Sequence, residues 1–125
     1  MKQIIFVCMA LLLSAGSVFA QGGPSITVAE NFHDFGEIKE ADGKVSHTFV
    51  VKNDGNAPLV ITRVIASCGC TSPDWTKEPI APGQTGEVKV TFDPKNRPGP
   101  FAKTVSIYSN GKTGSYVVTI RGDVK

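Results

Sequence analysis

Period-two alternation of apolar and polar residues runs through most of this chain, and no other feature constrains its fold as strongly. Val88, Val90 and Phe92 alternate with Glu87, Lys89 and Thr91. Phe101, Val105 and Ile107 alternate with Ala102, Thr104 and Ser106, and Tyr116, Val118 and Ile120 alternate with Thr119 and Arg121. Val45, Phe49 and Val51 share one parity with His47. Successive side chains of a strand point to opposite faces, so these runs read as half-buried strands, apolar toward a core and polar toward water. No segment of helical length places apolar residues at three-to-four spacing. Turn residues fall between the runs, at Asn53-Asp54-Gly55-Asn56, at Pro82-Gly83, from Asp93-Pro94 to Pro100, and at a hairpin tip from Asn110-Gly111 to Gly114. With Ile26–Ala29, Phe35–Ile38 and Leu59–Ala66 added, about seven short strands emerge. The expected fold class is therefore all-β, an immunoglobulin-like antiparallel β-sandwich. The segment Leu59–Ala66 departs from the alternation. Leu59, Ile61 and Ile65 lie on one parity and Val60 and Val64 on the other. It reads either as a central strand covered on two sides or as an exposed apolar patch used for binding.

The first twenty residues carry a different signal. Lys2 is a short basic start, Ile4 to Leu13 is almost wholly apolar, and Val18-Phe19-Ala20 ends in a small-x-small pattern. This predicts a cleaved secretory signal peptide over 1–20 and one immunoglobulin-like domain over 21–125. A membrane anchor is the competing reading. The apolar run is short for a bilayer, and Ser14, Gly16 and Ser17 interrupt it. Cys8 lies inside the run without the small residues that precede a lipidated cysteine. The expected location is periplasmic or extracellular, with no membrane insertion after cleavage. The whole chain carries a formal charge of +2, and removing Lys2 brings the remainder to about +1. Such a surface offers no electrostatic footprint for nucleic acid.

Only Cys68 and Cys70 would survive signal cleavage, separated by Gly69. A disulfide-built scaffold carries more cysteines at wider spacing. A bond between these two closes a tiny loop and removes little entropy from the unfolded chain, so stability would not be its main purpose. On an extended strand their Cα atoms would stand roughly 6.5–7 Å apart, at the upper limit for a disulfide, and Gly69 would supply the backbone freedom to bring them closer. A strained, easily reduced bond follows from that geometry. Four readings stay open: a redox-labile pair, a mixed disulfide with a partner chain, a metal site, and a pair that only packs at a sandwich end. Two thiolates suit Cu(I) or Zn, with His47 or His33 available to complete the shell. Thr71 and Trp75 adjoin the motif. Trp75 is a candidate binding anchor, although covering the core beneath a loop would serve equally. His33 beside Asp34 is a possible polar pair. No serine–histidine–acid set, phosphate loop or nucleotide fingerprint is present. The expected protein is not an enzyme and holds no cofactor.

Several of these residues together resemble a known family. They are Phe35-Gly36, His47-Thr48-Phe49, Lys52-Asn53-Asp54-Gly55, Pro58-Leu59-Val60-Ile61, Ser67-Cys68-Gly69-Cys70-Thr71, Ile80-Ala81-Pro82-Gly83 and Val90-Thr91-Phe92. The run resembles the domain-of-unknown-function family 1573, secreted or lipid-anchored bacterial proteins common in the Bacteroidetes. The generic turns are also similar to Hydin-like and pilus-chaperone-like sandwiches. That resemblance implies an envelope location and binding through sheet edges and faces. The first expectation is a non-enzymatic module that binds another envelope protein by strand addition, with Cys68, Gly69, Cys70, Thr71 and Trp75 as its distinctive surface. The alternative is a thiol-redox or copper- or zinc-handling protein that uses Cys68 and Cys70 directly.

Overall fold

A computed structural model describes residues 22–125. The expected signal peptide and its cleavage point lie outside these residues. The described chain is a two-layer β-sandwich. Its strands are β1 (Ile26–Thr27), β2 (Phe32–Ile38), β3 (Val45–Asn53), β4 (Ile61–Ala66), β5 (Thr71–Trp75), β6 (Thr85–Phe92), β7 (Gly99–Ser109) and β8 (Ser115–Val124). The only helical element among the described residues is a 3-10 turn at Glu40–Asp42. One sheet has the order β1-β3-β6-β5 and the other β2-β8-β7-β4. This is the immunoglobulin-like arrangement expected from the alternation.

The core lies between the sheets and uses the parities read from the sequence. Val51, Val88, Val90, Phe92, Val105, Ile107, Val118 and Ile120 are fully buried. Phe92 stacks on Phe101 from the facing sheet at 3.9 Å between ring centroids. Each such side chain removes its apolar surface from water at both layers, which contributes about 1.5–3 kcal/mol per large residue.

Three details differ from simple alternation. First, β2 pairs in parallel with β8, while every other strand pair is antiparallel. The chain joins β3 at Ile26 and Thr27, then crosses to the second sheet before Phe32. Second, β5 is not among the runs read as strands, and it contains Pro73, which cannot donate to a ladder. In the fold β5 is the last strand of its sheet, so Pro73 spends its missing N–H at an edge. Third, Leu59–Ala66 is not a central strand. β4 is an edge strand, and its pairing with β7 shifts register between Ile61 and Arg63. That irregularity turns both Ile61 and Val64 into the core and explains the mixed parity. Leu59, Ile61 and Val64 are buried and Ile65 is left 46% exposed, so the segment is an edge strand with one apolar side chain facing water.

Candidate functional site

The Cys68–Cys70 motif forms the corner where the chain leaves β4 in one sheet and enters β5 in the other. The two cysteines are joined by a disulfide, with Cα atoms 5.2 Å apart. The segment is therefore a turn rather than an extended strand. The Thr71 N–H donates to the Cys68 carbonyl at 3.1 Å and closes it. Gly69 is not needed for this shape. Its φ is outside the left-handed region, and a Cβ there would meet nothing within 4 Å. The Ser67 N–H donates to the Thr104 carbonyl at 3.0 Å, and the Asp93 N–H donates to the Cys70 carbonyl at 2.9 Å. The corner is thus tied to β7 and to the end of β6. Cys70 is buried, whereas Cys68 is only half-buried. Thr71 is buried too, with its hydroxyl 3.7 Å from Cys70 Sγ. A bonded sulfur carries no proton, so Thr71 is the donor.

Trp75 lies on the inward parity of β5 and packs against the core, half-buried. The Lys77 ammonium sits 3.1 Å from its ring centroid. The Trp75 ring thus covers the core edge and receives a cation, and does not stand out as a free anchor.

The structure does not join the histidines to the cysteines. His33 on β2 and His47 on β3 stack on one another across the two sheets, 3.8 Å apart and 8° from parallel. Phe35 and Phe49 meet them edge-on. Asp34 pairs with Arg121 at 3.0 Å instead of with its neighbour His33. A hydrogen bond from the Gly36 N–H, and then Arg121, hold the Asp34 carboxyl below the usual carboxylate range. Burial, and then the His33 charge, push the His47 imidazole below its ordinary value. Stacked imidazoles repel when both are protonated, so the neutral form of His47 suits this contact. Among the described residues no group of three or more His, Cys, Asp or Glu is placed to hold a metal.

Beside the histidine stack lies a groove of about 540 Å³, lined by Val28, Ala29, His47, Phe49 and Val50 with Thr48 among its polar groups. It follows the open half of β3. β3 pairs with β6 from Val45 to Lys52 without a register shift, but β1 pairs only with Lys52 and Asn53. The Asn53 N–H donates to Gln84 and its carbonyl accepts from Gly83, so odd-numbered β3 residues aim their main chain toward β6. Even-numbered ones aim the other way. Ser46, Thr48 and Val50 therefore present backbone polar groups toward the groove, outside the β1 pairing among the described residues. A second cleft of about 560 Å³ lies over the β2 irregularity, lined by Asp34, Arg121 and Asp123. Arg121 pairs there with Asp34, and Asp123 with Lys125, while Glu37 also lines the cleft.

A family model described as a protein of unknown function, DUF1573, matches residues 26–124. The chain belongs to the DUF1573 family. No curated protein matches it. Among solved structures, the DUF1573 domain is similar to a protein of unknown function from Porphyromonas gingivalis W83. They share 16% identity and a TM-score of 0.70, over 86% of this chain and 50% of that one. The chain thus spans about half the length of that relative. It is also similar to the ASH / PapD-like domain 7 of human CEP192, at 8% identity and TM-score 0.65, over 86% of this chain and 92% of that one. The VesB protease of Vibrio cholerae matches at 21% identity and TM-score 0.60, over 82% of this chain and 31% of that one. At these identities the likeness is one of fold.

One residue of the DUF1573 domain escaped sequence reasoning. Asn53 reads as the first residue of an Asn-Asp-Gly-Asn turn, yet its side chain is fully buried. Its amide donates to the Ala57 and Ile80 carbonyls at 2.8 Å each. Its Oδ1 accepts from the Gly55 N–H at 2.9 Å and the Ser25 N–H at 3.3 Å. Asn53 thus ties β3 to the approach of β1, at the closed end of the groove. The available signal was parity: Asn53 continues the buried series Phe49, Val51.

Proposed function

We propose that this DUF1573 domain is a secreted, non-catalytic binding module that captures an extended segment of an envelope protein along the open half of β3. The observation that carries the reading is the stretch of β3 that has no strand partner among the described residues on its β1 side, beside an apolar groove. The other sheet borders are blunted in recognised ways. β5 carries Pro73, β4 has a register irregularity and the Arg63 cation, and β2 has an irregularity flanked by Asp34 and Glu37. The open stretch of β3 from Ser46 to Val50 has no proline, register shift, Lys, Arg or carboxylate, and Val50 beside the groove is 55% exposed. Strand addition there would satisfy the outward N–H and C=O groups of Thr48 and Val50, giving affinity through the backbone. Selectivity would come from the apolar groove side chains. The leader-like start of the sequence supports the envelope location.

Thr48→Pro tests this reading. It removes one groove-facing N–H and leaves the β3–β6 ladder intact. Immobilised mature protein would be challenged with native envelope extract, and the partner identified by mass spectrometry. The captured protein should be lost from Thr48→Pro while thermal unfolding stays near that of the unmodified domain. Equal capture by a folded Thr48→Pro protein would rule out this edge.

A further inference from the structure

Independently of strand capture, we propose that Cys68–Cys70 is a thiol–disulfide exchange centre with a fixed division of labour, oxidising a partner protein's dithiol. Cys68 Sγ is the sulfur attacked, and Cys70 Sγ is the sulfur that leaves, received by the Thr71 hydroxyl. Three observations support this.

The first is unequal access. Both sulfurs belong to one three-residue turn, but Cys70 is only 6% exposed while Cys68 is half-buried. An incoming thiolate reaches Cys68 first. The second is the environment of the leaving sulfur. Thr71 already points its hydroxyl at Cys70 Sγ from 3.7 Å, while Cys68 Sγ accepts only the backbone N–H of Cys70, at 3.2 Å within the same turn. When the bond breaks, that contact becomes a charge-assisted hydrogen bond to a thiolate, and a stabilised leaving thiolate speeds exchange. The third is that the corner does not depend on the bond. Backbone hydrogen bonds from Ser67 to Thr104, from Thr71 to Cys68 and from Asp93 to Cys70 hold the turn on both sides. A bridge across two residues adds little constraint to the unfolded chain. The pair can therefore open and close on a scaffold that stays folded.

A partner thiolate attacks Cys68 Sγ; a new bond joins the partner sulfur to Cys68, and the Cys68–Cys70 bond breaks. Its electron pair goes to Cys70, which becomes a thiolate beside Thr71. The partner's second thiolate then attacks the partner's own sulfur in the mixed disulfide and releases Cys68. Two electrons have passed from the dithiol to the pair. The partner ends as a disulfide, and Cys68 and Cys70 end as thiols after taking up two protons. Without a second partner thiol, Cys70 returns to Cys68 Sγ and expels the partner.

Reduced glutathione serves as the monothiol probe on oxidised mature protein. Released thiols are trapped with N-ethylmaleimide, and the positions are read by fragment mass spectrometry. Glutathione on Cys68 with maleimide on Cys70 should exceed the reverse arrangement roughly tenfold. Equal amounts, or an excess on Cys70, would overturn the assignment. With dithiothreitol as the dithiol probe, Thr71→Val should slow reduction roughly fivefold. An unchanged rate would remove Thr71 from the proposal. Fully reduced protein should keep its near-ultraviolet circular dichroism and unfold within a few degrees of the oxidised form. Loss of the folded signal on reduction would show a structural staple and sink the exchange centre.

Discussion

Replacing Asn53 by alanine is the sharpest test of how the groove is built. The change removes four side-chain hydrogen bonds, two donated and two accepted. Their loss is unequal. The Ile80 carbonyl keeps a bond from the Leu59 N–H, and the Ser25 contact at 3.3 Å is the weakest of the set. The Gly55 N–H and the Ala57 carbonyl lose the side-chain partner that serves them in a part-buried loop. At about 1 kcal/mol net per bond, with a larger cost where a group stays buried and unpaired, the expected loss is roughly 2–4 kcal/mol. For a domain of this size that lowers the melting temperature by roughly 10–25 °C. Urea unfolding followed by Trp75 fluorescence would show a lower midpoint with an unchanged slope. Asn53→Asp sharpens the test. Its second oxygen would face the Ala57 and Ile80 carbonyls, which accept and cannot donate. The neutral acid is favoured there, so the folded-state pKa rises above the unfolded value near 3.9. The variant should be most stable below that value and weaken as pH rises through the folded pKa. A loss under about 1 kcal/mol for Asn53→Ala, or an Asn53→Asp deficit relative to the unmodified domain that is no larger at pH 7 than at pH 4, would refute the buried network.

Other outcomes follow from the same geometry. The His47 pKa is depressed in the folded state, so the unfolded chain binds more protons below about 6.5, and stability should fall as pH drops through that value. Melting temperatures between about pH 7.5 and 5.5 would check this, and a His47→Phe domain with the same slope would exclude His47 as the cause. Gly69→Ala should change stability by less than about 0.5 kcal/mol, because a Cβ meets nothing there; a large loss in urea would show that the turn needs glycine. Phe92→Ala should cost about 3–5 kcal/mol, since Phe92 is fully buried and stacked on Phe101. A midpoint shift smaller than that of Asn53→Ala would contradict its central place in the core.

Strand parity was legible because it is local. Val88, Val90 and Phe92 declare their buried face whatever lies opposite, and the structure buries all three. The same reasoning failed where a long-range partner overrides the local pattern. Pro73 hid β5, since a proline's cost depends on whether the strand is an edge. The β4 irregularity hid Ile61 and Val64 as a shared inward pair, because register is set by β7. For Trp75 the sequence left two roles open, binding anchor or cover for the core, and the structure packs it against the core. The cysteine motif was visible at once, but its close Cα separation comes from a turn closed by Thr71, where the freedom of Gly69 was expected to supply it.

By itself, the sequence determined an all-β sandwich, the inward faces of its main strands, the turns between them and the singular Cys68-Gly69-Cys70 motif. These depend on side-chain period and on residues with special backbone needs, which act over a few positions. Tertiary structure alone decided which strands are edges, that half of β3 lacks a second strand partner among the described residues, that His33 meets His47 and that Asn53 is buried. Those properties arise from contacts between segments far apart in the chain, where one pairing removes a group from water and another leaves it available.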